Sequence, residues 1–257
     1  MNVVKLFDLT GKAALITGAG SGIGRTFAQA LTDAGARVAI IDIAQERAEA
    51  VRDELVGTGK EAIAIAADVA DPDAITEFVD ETVSRFGRLD IAINNAGINL
   101  NSSAEETTLA DWDTVFGLNV RAVFLACQAE AKHMFPQGYG KIINTASMAS
   151  LIVPHPQKQV AYNASKGAVV TLTRTLAAEW ADRGIRVNCM SPGIIRTPLI
   201  EQSPDLAPLV DEWLSMIPAG RLGDVEDLRG GVIYLASPAS DYMTGHNLII
   251  DGGQTLW

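Results

Sequence analysis

A tyrosine and a lysine stand four positions apart in the stretch YNASK, at the start of a long helical pattern. Residues at this spacing lie on one face of a helix, so the Lys166 ammonium would lie beside the Tyr162 phenol. A phenol titrates near pH ~10, and a nearby positive charge favours its phenolate. The pair therefore predicts a proton-transfer device, and Ser147 could hold a substrate oxygen beside the tyrosine. Taken alone, the fragment also fits ordinary helix packing, so the rest of the chain has to decide.

A glycine-rich turn, TGAGSGIG, joins a short apolar run at 12–17 to a helical pattern. Glycines in such a strand–turn–helix unit let the backbone approach a pyrophosphate, and the helix N-terminus offers free N–H groups. The spacing of Gly18, Gly22 and Gly24 is G-x-x-x-G-x-G rather than G-x-G-x-x-G. The turn could be only a tight connection, but its place between strand and helix favours phosphate binding.

The second strand pattern, 37–42, closes with Asp42, and this residue bears on the choice of nucleotide. It comes 18 residues after Gly24, about where an acid binds the hydroxyls of an adenosine ribose. An N-cap for the next helix is an alternative role that is compatible with the first. A carboxylate would repel a 2′-phosphate, and neither Ile43 nor residues 19–21 supply a positive charge. The sequence therefore predicts NAD.

Further polar residues follow the later strand patterns. Asp68-Val69 follows the strand at 61–66, NNAG at 94–97 follows 89–93, and Ser147 follows 141–146. Ligands of open α/β sheets bind beyond the carboxyl ends of the strands, so these residues are expected to line one cleft. Helical patterns at 71–86 and 111–135 separate the strands, and the second contains Asn119, which we expect to face the same site.

The rest of the chain continues the alternation, with a strand at 185–189, a helix at 224–236 and a strand at 247–250. The segment 194–219 interrupts it with four prolines and short helical pieces, and we expect a substrate-loop insertion there. No repeat, linker or low-complexity segment divides the chain, so residues 1–257 are predicted to form a single dinucleotide-binding and catalytic domain.

Composition excludes several classes of partner. The formal net charge of −11 argues against a nucleic acid or an anionic membrane surface as partner. The sequence contains no run of 18 apolar residues, so no membrane span is predicted. The N-terminus lacks the features of a signal peptide. Cys127 and Cys189 have no metal-ligand spacing, which is typical of buried free thiols in a reducing compartment. We therefore expect a cytoplasmic protein and predict no metal site.

The ordered set of TGAGSGIG, Asp42, Asp68-Val69, NNAG, Asn119, Ser147, YNASK and PGIIRT resembles the short-chain dehydrogenase/reductase family from end to end. The resemblance implies an α/β, Rossmann-type doubly wound sheet of about seven parallel strands with helices on both faces, and a homotetramer. It implies catalytic roles for Asn119, Ser147, Tyr162 and Lys166. In these roles Lys166 would also bind the nicotinamide ribose, and Asn119 would hold a water of a proton relay. The nicotinamide nucleotide would be bound by Gly18, Ser21, Gly22, Ile23, Gly24, Asp42, Asp68, Val69, Asn95, Ala96, Gly97, Tyr162, Lys166, Pro192, Gly193, Ile195 and Thr197.

Within the family, Asp42, the long loop before Tyr162 and the tail DGGQTLW are similar to NAD-dependent polyol (sugar-alcohol) dehydrogenases. The neutral groups of Asn99, His155 and Gln159, with Ser147 and Tyr162, would suit a polyhydroxylated substrate. The expected reaction moves a hydride between NAD and a secondary alcohol or ketone, a polyol and its ketose. Alternatives are 3-oxoacyl or steroid-type substrates, and a non-catalytic dinucleotide-binding regulator, which the intact Ser147, Tyr162 and Lys166 disfavour.

Overall fold

Strands and helices alternate along the chain. The computed structural model describes residues 2–197, 200 and 206–257. The strands are β1 (Ala13–Thr17), β2 (Arg37–Asp42), β3 (Ala62–Ala66), β4 (Ile91–Asn94), β5 (Gly140–Thr145), β6 (Ile185–Pro192), β7 (Ile195–Arg196), β8 (Gly223–Asp224) and β9 (Asn247–Ile250). The helices are α1 (Gly22–Asp33), α2 (Gln45–Gly57), α3 (Pro72–Phe86), α4 (Leu109–Phe116), α5 (Val123–Met134), α6 (Val160–Trp180), α7 (Val210–Met216) and α8 (Arg229–Ala236).

Seven strands form one sheet in the order β3-β2-β1-β4-β5-β6-β9, and every pairing in it is parallel. The chain builds outward from β1 to β3, then crosses back and builds outward from β4 in the other direction. The strand order therefore reverses between β1 and β4, where an open sheet of this kind binds its ligand. The predicted α/β fold class is confirmed.

Both faces of the sheet are covered by helices, because the strands are apolar on both sides. On β1 all five residues are buried, and they alternate between two cores. Ile16 packs with Phe27 and Leu31 of α1 on one face, and Leu15 packs with Phe78 of α3 on the other. A third, smaller cluster lies outside these cores and joins Met148 to Trp213 of α7.

The predicted helix at 111–135 is interrupted. α4 ends at Phe116, a π-helical turn spans Gly117–Ala122, and α5 begins at Val123. Such wide turns are frequent at functional sites, and this one contains Asn119. The predicted helix at 224–236 also begins differently, with a 3₁₀ turn at Val225–Leu228 before α8.

Within the segment 194–219, the structure shows β7, a 3₁₀ turn at Ala207–Leu209 and α7. Pro198 and Pro204 lie outside the described residues. The role of this segment as a substrate loop, and the assignment of 1–257 to one domain, stay predictions. Among the described helices, none combines the length and the apolar character needed to cross a membrane.

Candidate active site

A cleft of about 520 Å³ opens at the carboxyl edge of the sheet, across the point where the strand order reverses. It brings together residues that lie far apart in the sequence. Those predicted from sequence that line it are Gly18, Ser21, Gly22, Ile23, Gly24, Asp42, Asp68, Val69, Asn95, Ala96, Gly97, Asn99, Ser147, Tyr162, Lys166, Pro192, Gly193 and Thr197.

The glycine turn has the geometry that a phosphate cradle requires. Gly18 and Gly22 have φ of 63° and 52°, in the left-handed region that favours glycine. A Cβ on Gly22 would meet only the Thr197 methyl, at 3.9 Å, so the space before the turn is open. α1 begins at Gly22, and Ser21 in the cap position makes no side-chain capping bond. The first N–H groups of the helix therefore fit an anionic pyrophosphate.

Asp42 is buried at the end of β2 and is held on both oxygens. Its Oδ2 accepts from the Gly20 N–H at 2.9 Å, and its Oδ1 accepts from the Ala44 N–H at 3.0 Å. α2 begins after Ala44, which occupies the cap position, so the alternative role of Asp42 as N-cap is wrong. The carboxylate instead connects the glycine turn to the β2–α2 loop.

Sequence reasoning missed Arg47. Its guanidinium donates to Asp42 Oδ1 at 3.0 Å, and the residue lines the cleft. Only residues next to Asp42 and in the glycine turn were considered as sources of positive charge. Arg47 stands five positions after Asp42, in the first turn of α2. This turn lies close to the end of β2, so a positive charge there was predictable from the sequence.

Tyr162, Lys166 and Ser147 lie together in the cleft. Burial raises the pKa of Tyr162 above its ordinary value, and a hydrogen bond with Ser147 partly offsets this. Lys166 is 5% exposed, its Nζ donates to the Thr145 carbonyl at 2.7 Å, and burial lowers its pKa to about 8. The Nζ lies 5.6 Å from the centre of the Tyr162 ring. Burial thus keeps the pKa of Tyr162 above its ordinary value in the chain by itself, and the expected lowering of this pKa by Lys166 stays a prediction.

Asn119 does not line the cleft but is fully buried beneath it. Its Oδ1 accepts from the Ile98 N–H at 2.9 Å, while its Nδ2 donates to the Ile98 carbonyl at 2.9 Å and to Ser165 Oγ at 3.1 Å. Ser165 Oγ donates in turn to the Tyr162 carbonyl at 2.7 Å. The Asn119 side chain thus joins the loop after β4 to α6 and positions the tyrosine helix. Its expected part in a water relay stays a prediction.

Some of the predicted substrate residues line the cleft in the structure, and others lie outside it. Asn99 lines the cleft, and its Nδ2 donates to Gln159 Oε1 at 2.9 Å and to Asn101 Oδ1 at 3.0 Å. Gln159 is itself buried outside the lining, where it positions Asn99. His155 is not brought to the cleft: its side chain is 70% exposed and its Nδ1 lies 2.7 Å from a carboxylate oxygen of Glu212. The structure therefore does not place His155 in the cleft lining, and its expected substrate contact stays a prediction.

Ile195 also lies outside the cleft lining. Its side chain is 5% exposed and packs into the core that covers α1. β7 places it there by pairing with β8, where Ile195 stands opposite Gly223. A nucleotide contact of Ile195 would have to come from its main chain.

Each end of the cleft holds one positively charged side chain. The positively charged residues of the described lining are Arg47, which pairs with Asp42, and Lys166, which is bound to Thr145. Around Tyr162 the lining offers the neutral groups of Asn99 and Ser147. Apart from Lys166, the described groups that a ligand would meet at this end are therefore neutral.

Comparisons with known proteins agree with this geometry. Residues 18–255 match the family model described as Enoyl-(Acyl carrier protein) reductase. A short-chain type dehydrogenase/reductase from Mycobacterium marinum has a structure that superposes with a TM-score of 0.95 at 44% identity, covering 99% of each chain. The chain belongs to the short-chain dehydrogenase/reductase family. It is thus an oxidoreductase that works with a nicotinamide nucleotide, and both the predicted family and the predicted reaction class are confirmed.

Two further members show how the family varies. The chain is 41% identical over 250 residues to the D-threitol dehydrogenase of Mycolicibacterium smegmatis, covering 97% of this chain and 95% of that protein. It is 38% identical to a gluconate 5-dehydrogenase from Burkholderia cenocepacia, whose structure was determined in complex with NADP and tartrate. That structure superposes with a TM-score of 0.93 and covers 100% of both chains. These relatives act on a neutral polyol in one case and a sugar acid in the other.

Proposed function

We propose that this protein oxidises a secondary hydroxyl of a neutral polyol to the corresponding ketose, with NAD as the preferred nucleotide. The observation that carries the substrate class is that the described lining near Tyr162 holds no positively charged side chain besides Lys166, whose Nζ is bound to the Thr145 carbonyl. A carboxylate substrate would be bound by an arginine or lysine placed to pair with it. Hydroxyl groups need neutral partners, which Asn99 and Ser147 supply.

The proposed chemistry follows from the positions of Ser147 and Tyr162. Ser147 holds the reacting hydroxyl by a hydrogen bond, and the Tyr162 phenolate removes its proton. The nucleotide, when bound, would supply an oxidised nicotinamide ring that accepts the hydride from the carbon bearing this hydroxyl. Asn119 and Ser165 hold α6 so that the tyrosine stays in register with the loop after β4.

The raised pKa of Tyr162 means that the phenol has to lose its proton before it can act as the base. The phenolate is the reactive form, so oxidation is expected to become faster as pH rises through one ionisation. Lys166 is the chain's own positive charge near the ring, and the cation of the nicotinamide would add a second. Both favour the phenolate, so the pKa of Tyr162 is expected to be lower in the loaded enzyme.

NAD is proposed because Asp42 ends β2 where an adenosine ribose binds, and its carboxylate accepts hydrogen bonds from hydroxyl groups. The glycine turn, the start of α1 and Asp42 together fit the pyrophosphate and the ribose. Asp42→Asn is expected to narrow the difference in kcat/KM between NAD and NADP, since it removes the charge that repels a 2′-phosphate.

Sugar acids are the second candidate, because the chain is 38% identical to the gluconate 5-dehydrogenase over its full length. Tetritols, pentitols and hexitols should be screened with NAD beside their aldonate counterparts, following reduced nucleotide by absorbance. Higher kcat/KM for a polyol than for the aldonate of equal chain length is the expected result. Preference for the aldonate, or turnover of a 3-hydroxyacyl thioester or hydroxysteroid alone, would refute the proposed substrate class.

A homotetramer is proposed as well. Large apolar side chains stay exposed on α4 and α5, at Leu109 and Phe124, and at the C-terminus, at Leu256 and Trp257. Exposed apolar surface of this kind is commonly covered by another subunit. Light scattering at micromolar concentration should give the mass of four chains, and the mass of one chain would refute the assembly.

A further inference from the structure

Arg47 and Asp42 form an ion pair at the nucleotide end of the cleft. Asp42 is 5% exposed, whereas 54% of the Arg47 side chain is exposed. The guanidinium therefore reaches over the carboxylate from the solvent side, and both residues line the cleft. A nucleotide bound in the cleft would therefore meet the Asp42 carboxylate and its counter-ion, Arg47, at the same place.

The two partners depend on this contact to different degrees. Asp42 keeps two backbone donors, Gly20 N–H and Ala44 N–H, whether or not Arg47 is present. Arg47 makes its hydrogen bond to Asp42 from a half-exposed position on the first turn of α2. Movement of the guanidinium away from Asp42 would therefore leave the carboxylate anchored by its two backbone donors, and the half-exposed guanidinium can be hydrated when it moves.

The glycine turn brings the pair close to the nucleotide. A Cβ on Gly20 would lie 2.7 Å from Asp42 Oδ2 and 2.8 Å from Arg47 Cβ, so only glycine lets the turn approach both residues. An acid at this place binds the ribose 2′-hydroxyl of NAD, and an arginine nearby can accommodate the 2′-phosphate of NADP. This chain holds both groups within reach of the same ribose.

We propose that Arg47 is a second determinant of nucleotide choice, acting against Asp42. With a 2′-hydroxyl bound, the guanidinium stays on Asp42; with a 2′-phosphate bound, it turns to the phosphate and screens it from the carboxylate. The enzyme then prefers NAD but still uses NADP. This inference rests on the proposed function for the nucleotide site, and it makes Arg47 the residue that keeps the preference modest, on the order of tenfold.

The test compares wild type, Arg47→Ala and Arg47→Lys, with Arg52→Ala as the matched control. Arg52 lies on the same helix and pairs with an acid, Asp53, but does not line the cleft. Arg47→Ala is expected to reduce kcat/KM with NADP at least ~10-fold and to change the value with NAD less than ~3-fold. Arg47→Lys keeps the charge and should fall between wild type and Arg47→Ala, and Arg52→Ala should match wild type.

Calorimetric titration with two adenosine fragments gives a readout that needs no turnover. Adenosine 2′,5′-bisphosphate should bind at least ~10-fold more weakly to Arg47→Ala, while 5′-AMP, which lacks the 2′-phosphate, should change less than ~3-fold. Equal weakening of both fragments would show a merely structural role, and no weakening would show no role; either overturns the inference. Because these titrations use no polyol, a wrong substrate proposal would leave their result unaffected.

Discussion

The cleft has a nucleotide end, around the glycine turn and Asp42, and a substrate end, around Asn99 and Tyr162. The two ends are held by different kinds of contact. At the nucleotide end, main-chain groups fix the functional side chains: Asp42 accepts from two backbone N–H groups, and Thr17 Oγ1 accepts from those of Asn95 and Ala96 at 3.0 and 3.1 Å. At the substrate end, side chains fix one another. Gln159 holds Asn99 from 60 positions away in the sequence, and Gln157 accepts from Trp213 Nε1 at 3.0 Å from 56 positions away.

This difference explains what each end is suited to do. Main-chain anchors come with the strand–turn–helix unit, so the nucleotide end keeps its shape as side chains around it change. Contacts between side chains on separate loops depend on several residues at once. The substrate end can therefore be altered by few substitutions, which fits a family whose members act on a tetritol in one case and on gluconate in another.

The largest expected effect is at Tyr162, where the two ends meet. Tyr162→Phe removes the proton acceptor but keeps the ring, so kcat for alcohol oxidation should fall by at least ~10²-fold. Nucleotide affinity, measured by titration, should change less than ~3-fold, because the anchors of that end lie elsewhere. Tyr242→Phe, at a fully exposed tyrosine, is the control and should leave kcat unchanged. Near-normal turnover of Tyr162→Phe would mean that another group is the base.

A second prediction concerns Glu130, which is fully buried on α5 beside the end of β4. Asn94 Nδ2 donates to its Oε2 at 3.2 Å, and burial raises its pKa from 4.5 to about 8. The folded protein thus holds this proton more tightly than the unfolded chain. The stability from this group is fully present below pH 4.5 and is lost as pH rises through 8. Alkaline conditions should therefore destabilise the folded protein through this group.

Glu130→Gln keeps the shape of the protonated acid and removes the titration. Its free energy of unfolding in urea should exceed that of wild type by on the order of 2 kcal/mol at about pH 9, and the difference should vanish at about pH 4. Glu77→Gln, on the exposed side of α3, is the control. An identical dependence on pH in wild type and Glu130→Gln would show that Glu130 does not titrate in this range.

Features that depend on local sequence were predictable, whereas contacts between distant residues were not. The sheet, the glycine turn and the polar strand ends were predictable, because each depends on residues close together in sequence. The β5-to-α6 motif gave Ser147, Tyr162 and Lys166 for the same reason. The contact of His155 with Glu212 of α7 joins residues that are far apart in the sequence, and no local pattern records it. Arg47 lies five positions after Asp42, in the first turn of the following helix, so its contact with Asp42 is predictable from local sequence.

The ionisation of Tyr162 could not be predicted from the sequence, for a different physical reason. The helical spacing does place Lys166 near the tyrosine ring, but sequence spacing carries no measure of burial. The structure shows burial to be the larger influence on Tyr162, and it shows the Lys166 ammonium bound to the Thr145 carbonyl. A local motif can thus give the identity of a pair of groups without giving their ionisation.

A smaller effect is expected at Asn99, which the structure places at the substrate end. Its Nδ2 is occupied by Gln159 and Asn101, and its Oδ1 accepts no hydrogen bond from any residue that the structure describes. That oxygen can accept from a substrate hydroxyl. Asn99→Ala should raise KM for the best polyol about 10-fold and change kcat less than ~3-fold, because one hydrogen bond remote from the reacting carbon is lost.

Leu100→Ala is the control for Asn99, since this neighbouring residue does not line the cleft. A simple secondary alcohol without further hydroxyls is a second control, and its KM should be the same in wild type and Asn99→Ala. A fall in kcat without a change in KM would contradict the role of Asn99 in binding, and would indicate that the residue acts on the position of Tyr162.

The smallest effect is expected at His155, and it tests the outward position of this residue. The imidazole is exposed and pairs with Glu212, so neither partner contacts the cleft. A contact between exposed polar groups contributes little, and the third apolar cluster, with Gln157 on Trp213, still joins this loop to α7. His155→Ala should therefore change kcat/KM for a polyol less than ~3-fold, and Glu212→Gln should do the same. If His155→Ala lowered kcat/KM more than ~10-fold while Glu212→Gln did not, the imidazole would have to turn into the cleft during turnover. The substrate end would then be formed only when a polyol binds, whereas the nucleotide end is already in place.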